Sequence, residues 1–134
     1  MKAAAVNLRV RYAETDQMGV AYHSNYLVWF EVGRTNFCRS CGFTYAELEE
    51  QGIYLPVVEV HCRYRRPLRY DQEFRVLTHI RELRKRFISF GYVIETDDGD
   101  TPVAEGETRH VVTDREGRTT VLPSEYRDRM LNHM

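Results

Sequence analysis

Tyr12-Ala13-Glu14-Thr15-Asp16-Gln17-Met18-Gly19-Val20-Ala21-Tyr22-His23-Ser24-Asn25-Tyr26-Leu27 is where the chain changes character. Before it, Asn7 to Tyr12 alternates Leu8, Val10 and Tyr12 with Arg9 and Arg11, which predicts a short half-buried strand. Thr15 to Ala21 contains Gly19 and reads as a loop. From Ser24 the apolar period becomes helical. Tyr26, Phe30, Gly33, Phe37 and Cys41 fall on one face, and Leu27 and Cys38 widen it. Ser24 is the predicted N-cap and Gly42 the predicted stop. Gly33 costs a helix interior about 1 kcal/mol relative to Ala, so close approach to a sheet is its expected reason.

Outward from that helix the period becomes two. A short second helix is expected over Tyr45 to Glu50, ended by Gly52. Val58, Val60, Cys62 and Tyr64 then face one way, with Glu59, His61 and Arg63 opposite. Phe74, Val76, Thr78 and Ile80 mark another strand, and Ile88, Phe90, Tyr92 and Ile94 the next. Asp97-Asp98-Gly99-Asp100 is a hairpin signal, Val103 to Thr113 a further strand, and Pro123-Ser124 the opening of a C-terminal helix. A strand, a long helix and four more strands predict a two-layer α+β domain with a five-stranded, mostly antiparallel sheet. One helix covers little of such a sheet, so self-association is expected.

The 134 residues fit one domain spanning 1–134. A net charge of -1 argues against a general nucleic-acid binder. The N-terminus lacks an apolar run long enough for a signal core or membrane span, and three cysteines without a disulfide spacing fit reduced thiols, so a cytoplasmic protein is expected. Cys38 and Cys41 form a C-x-x-C pair inside a predicted helix. With no second pair to complete a zinc site, they read as core thiols, and no metal is expected. Cys62 shares its strand phase with Val58, Val60 and Tyr64, which argues against a nucleophile.

The segment Tyr12 to Leu27 resembles the signature of the hot-dog-fold thioesterases, most nearly the 4-hydroxybenzoyl-CoA thioesterase family and its relatives encoded with the bacterial Tol–Pal system. Glu31-Val32-Gly33-Arg34 and Tyr64-Arg65-Arg66-Pro67-Leu68-Arg69-Tyr70-Asp71 resemble later parts of the same pattern, so the resemblance covers nearly the whole chain. It implies a sheet wrapped on a long central helix and an acyl-CoA thioesterase needing no cofactor. It also implies a homodimer or homotetramer. Asp16 matches the family's catalytic carboxylate. The backbone N–H at His23 matches the donor that polarises the thioester carbonyl, and in the Tol–Pal group that position is itself a catalytic His. Gln17-Met18 departs from the small residues usual before the Gly.

The chemistry suits these residues. A helix N-terminus offers unpaired N–H groups and about half a positive charge to a developing oxyanion. Gly19 permits a tight path that folds Asp16 back toward it. Asp16 can attack as nucleophile or direct water as general base, and His23 can protonate the leaving sulfur. Taken alone, Asp16 would read as a turn residue and the His23 ring as packing. Gly19 and Tyr22 join the expected substrate-binding set, and His61 is a candidate for the pantetheine channel. Arg84-Lys85-Arg86 reads as a solvated hairpin turn or, by the resemblance, as a clamp for the CoA phosphates. Two other functions fit the same residues: a hot-dog hydratase or dehydratase acting on an enoyl thioester, and a non-catalytic acyl-CoA-binding module.

Overall fold

The computed structural model describes residues 3–98 and 101–134. Gly99 and Asp100 of the expected hairpin signal lie outside the described residues. Five strands, β1 (Ala4–Arg9), β2 (Val57–Tyr64), β3 (Glu73–Leu83), β4 (Phe87–Glu95) and β5 (Ala104–Val111), form one sheet in the order β1-β3-β4-β5-β2. Every neighbouring pair is antiparallel. Helix α1 (Asn25–Ser40) lies against this sheet, with the shorter α2 (Tyr45–Glu50) and α3 (Ser124–Leu131) beside it. This is the expected hot-dog architecture.

The helix meets the sheet through stacked side chains. Trp29 packs on Phe74 of β3 (4.5 Å), Phe30 stacks on Tyr92 of β4 (4.3 Å), and Phe37 meets Phe90 of β4 edge-on (6.0 Å). Gly33 sits where the contact is tightest. A Cβ there would fall 2.4 Å from Thr78 Oγ1 and 2.8 Å from Val76 Cγ1, so the expected close approach is present. Gly42, at φ +93°, follows the helix end.

Three local expectations differ. The first strand stops at Arg9, and Tyr12 is 78 % exposed on a short 3₁₀ turn, Tyr12–Glu14, closed when Glu14 accepts the Arg11 N–H. Ser24 does not cap α1 through its hydroxyl. Instead Asn25, Tyr26 and Leu27 donate to the carbonyls of Tyr22, His23 and Ser24, three residues back. Leu27 is 40 % exposed, whereas Trp29 is buried. Each lies about 80° from the centre of the apolar face at 100° per residue, but on opposite sides. Only Trp29's side has Phe74 to pack on.

Strand β2 forms as expected and, among the described residues, pairs with β5 alone, which leaves its other edge open. Its valines Val57, Val58 and Val60 are exposed, whereas at the far end of the strand Tyr64 packs on Tyr26 of α1 (4.9 Å between rings). Cys38 and Cys41 are buried in the core as expected, and burial pushes their thiols up to about 12 and about 11.

Candidate active site

The chain between β1 and α1 folds into a small hairpin. Thr15 bridges Ala21, the Asp16 N–H donates to Val20 O (2.9 Å), and the Gly19 N–H donates to Asp16 O (3.0 Å). Gly19 supplies the left-handed residue of the turn, φ +78°. One Asp16 carboxylate oxygen accepts the N–H groups of Met18 (2.9 Å) and Val20 (3.3 Å). The other has no hydrogen-bond partner among the described residues.

The hairpin's return limb runs directly into α1. The Tyr22 N–H donates to Glu14 O, and the Ala21 N–H donates to Leu68 O, which ties the limb to the segment after β2 (both 2.8 Å). Among the described residues nothing accepts a hydrogen bond from the His23 amide. The His23 carbonyl, by contrast, is held. It accepts the Tyr26 N–H (3.3 Å) and the Tyr64 hydroxyl (2.9 Å). Burial and the neighbouring Cys62 push the Tyr64 phenol up to about 12, so it stays protonated and donating at neutral pH.

Asp16 and His23 line one open cleft of about 380 Å³ with Met18, Val20, Tyr26 and Tyr64, and with Arg65, Arg66 and Pro67 at its rim. That is enough room for the reacting end of a thioester. Two larger clefts, at the β1–β3 edge and on the outer sheet face, contain neither residue. No group of His, Cys, Asp and Glu among the described residues is arranged to hold a metal ion.

The other expected residues are distributed unevenly. Gly19 shapes the hairpin without lining the cleft. Tyr22 is exposed beside it, its ring 4.3 Å from that of His23. His61 faces the outer side of the sheet, in the cleft with His79, Arg81 and Glu107. Arg84, Lys85 and Arg86 form the β3–β4 turn, where Arg84 N–H donates to Phe87 O. The 11-residue strand β3 separates that turn from the Asp16 end, about 35 Å at ~3.3 Å per residue. Within one chain these residues do not meet Asp16. The sequence reading also missed the role of Tyr64. Its strand phase puts it on the helix side, but a bond between residues 41 positions apart leaves no local pattern.

Residues 10–130 match the thioesterase-like superfamily along their whole length. The chain belongs to the thioesterase-like superfamily. A relative in Bacillus subtilis, named a putative acyl-CoA thioesterase YneP, is 39 % identical over 87 % of this chain and 83 % of its own. The crystal structure of hypothetical protein TT1821 from Thermus thermophilus superposes with a TM-score of 0.92 at 34 % identity, covering 98 % of this chain and 99 % of that one. The DHNA-CoA thioesterase of Staphylococcus aureus superposes at 0.93 with 29 % identity, covering 98 % and 91 %. By this family the chain is a thioester hydrolase. Among the described residues no helix is long and apolar enough to cross a membrane.

Proposed function

We propose that this thioesterase hydrolyses acyl-CoA to the free acid and CoA in the Asp16–His23 cleft, and that its place in the family is nearest the Tol–Pal-associated thioesterases, which carry a His at the helix start. One observation carries this reading. Asp16 has one oxygen fixed by two amides and one left open, in the same cleft as the unpaired amide at the start of α1.

The thioester carbonyl oxygen takes the His23 N–H, and negative charge builds on it as the carbon is attacked. The attacking oxygen is either the open Asp16 oxygen, giving a mixed anhydride that water then cleaves, or a water that Asp16 deprotonates. The C–S bond breaks, and the CoA sulfur leaves as a thiolate or takes a proton from the His23 ring.

Assembly belongs to the same proposal. The open edge of β2, with Val57, Val58 and Val60 exposed, suits pairing with a second copy. That gives at least a homodimer. The Arg84-Lys85-Arg86 turn, remote from its own Asp16, then clamps CoA phosphates for the site of another subunit, and His61 flanks the carrier arm only across such an interface.

The test is turnover of an acyl-CoA panel with free-thiol detection, with Asp16→Asn as control. Thiol release that disappears in Asp16→Asn supports the reading. Full turnover in that variant sinks the assigned site. Loss of enoyl absorbance without thiol release would instead mark a hydratase, and tight CoA binding without turnover a binding module.

A further inference from the structure

We propose that Glu14 is a positioning residue for the Asp16 reaction, its buried carboxylate and its carbonyl oxygen together locking the Asp16 hairpin to the helix that carries the His23 amide. This inference rests on the reading of Asp16 given above and concerns how the two halves of the site are kept in register.

Glu14 is 4 % exposed. A carboxylate so buried is costly unless its lone pairs are filled. One oxygen accepts the Arg11 backbone N–H at 2.8 Å. The other accepts the Trp29 indole N–H at 3.0 Å and the Arg11 guanidinium at 3.4 Å. The carbonyl of the same residue accepts the Tyr22 N–H and the Asn25 side-chain amide, both at 2.8 Å. Burial pushes the Glu14 carboxyl up, and the Arg11 and Trp29 donors outweigh it, so it ionises below its ordinary range.

A mere cap of the 3₁₀ turn would need only the Arg11 bonds. It would not account for Asn25 and Trp29, which belong to the first two turns of α1. Trp29 is itself immobilised against Phe74 and Tyr26 (4.5 and 4.8 Å between rings). Glu14 therefore receives donors from the limb before Asp16, the limb after it and the helix. It sits two residues from the reacting carboxylate. Loosening it lets the carboxylate drift relative to the His23 amide without removing any group that touches substrate, and a misplacement of about 1 Å can cost about a hundredfold in rate.

The experiment compares Glu14→Ala, Glu14→Gln, Asn25→Ala and Asp16→Asn in the full chain, on an acyl-CoA that the wild type turns over. It reads kcat, KM, the pH profile of kcat, and CoA affinity by titration. Glu14→Ala should lower kcat by about a hundredfold, with KM and CoA affinity within about twofold. Glu14→Gln keeps one of the two acceptors and should fall between, at about tenfold, with the limbs of the pH profile unmoved. Asn25→Ala, which removes only the bond to the Glu14 carbonyl, should cost about fivefold in kcat. It carries the test if Glu14→Ala does not fold.

Wild-type kcat in folded Glu14→Ala or, failing that variant, in Asn25→Ala overturns the proposal. So does a loss confined to KM, or a Glu14→Gln profile that has lost a titrating limb, which would make Glu14 itself an acid or base in the reaction. Full activity in Asp16→Asn is a separate result. It removes the reading beneath the proposal, whereas an inactive Asp16→Asn beside an unaffected Glu14→Ala removes the proposal alone.

Discussion

Two polar clusters in this protein invite a functional reading, and they are built in opposite ways. At one end of α1, Asp16 and His23 line an open cleft, with a carboxylate oxygen and a backbone N–H that have no partner among the described residues. Under the middle of the sheet, the buried Tyr92, Thr108 and His110 and the half-buried Arg34 form a line. His110 Nδ1 donates to Leu55 O (2.9 Å), so its Nε2 accepts from the Thr108 hydroxyl (2.8 Å). Thr108 then accepts from the Tyr92 hydroxyl (2.6 Å), which accepts in turn from Arg34 (3.5 Å). The proton order is fixed along the whole line. The strongest pull on a histidine falls in this second cluster, where burial brings His110 down to about 4. A perturbed group marks a site only where it can reach a substrate. Here the perturbation reports burial, and the proposed chemistry falls to the cluster whose hydrogen-bonding capacity is left open.

The sharpest way to break that contrast is Asp16→Asn. The amide side chain can keep the bonds from Met18 and Val20 through its oxygen and loses the charge and the proposed nucleophile or base. Thiol release should fall by about a thousandfold, ~4 kcal/mol in the barrier, with little change in melting temperature. A substantial loss of stability instead would make Asp16 a structural turn residue and erase the distinction between the clusters.

The buried line makes the converse prediction, a pH effect on stability. His110 is neutral in the folded chain down to about pH 4, while in the unfolded chain it protonates near 6.5. Its contribution is therefore complete above about pH 6.5 and declines as pH falls. The loss levels off below about 4, at about 3 kcal/mol. The Arg34 charge acts in the same direction, and the Leu55 hydrogen bond opposes it. His79, lowered by burial and by the nearby Arg81, adds a loss of the same sign. Urea unfolding at pH 7.5 and pH 5 measures the difference, and His110→Gln should reduce it.

The two clusters were not equally legible. Asp16, Gly19 and His23 lie within one short stretch, so their spacing alone puts a carboxylate near a helix start. The two-layer α+β layout followed from the helix period and the alternating strands after it, and the hot-dog arrangement from the family resemblance. The buried line joins Arg34 on the helix to residues on β4 and β5, and His110 was only one more residue of the strand expected over Val103 to Thr113. Trp29 and Leu27 were indistinguishable by helical angle, since only the presence of Phe74 on one side decides between them. The exposed valines of β2 could not be separated from buried ones, because period two gives the face of a strand and not what covers it.

Gly33 tests the layer that holds both clusters. Gly33→Ala improves helix propensity by about 1 kcal/mol, yet its methyl would meet Thr78 Oγ1 and Val76 on β3. Moving α1 off the sheet would disturb the Trp29–Phe74 and Phe30–Tyr92 contacts alike. Overpacking of this kind should leave a net loss of about 2 kcal/mol, visible as a lowered urea midpoint with an unchanged slope. A stabilised variant would mean that the sheet yields there without resistance.

The smallest effect bears most directly on how the open cluster is kept open. Tyr64→Phe leaves the ring against Tyr26 and His23 (4.9 and 6.4 Å) and deletes only the hydroxyl that the His23 carbonyl accepts. That carbonyl keeps its Tyr26 N–H, so the stability loss should be about 1 kcal/mol or less. The peptide preceding Ser24 would then be free to tilt. Because the adjoining amide of His23 is the proposed carbonyl donor, kcat should fall several-fold at nearly constant KM. Equal kcat in Tyr64→Phe and wild type would show that the helix start holds its own geometry, and that the openness of the cleft owes nothing to β2.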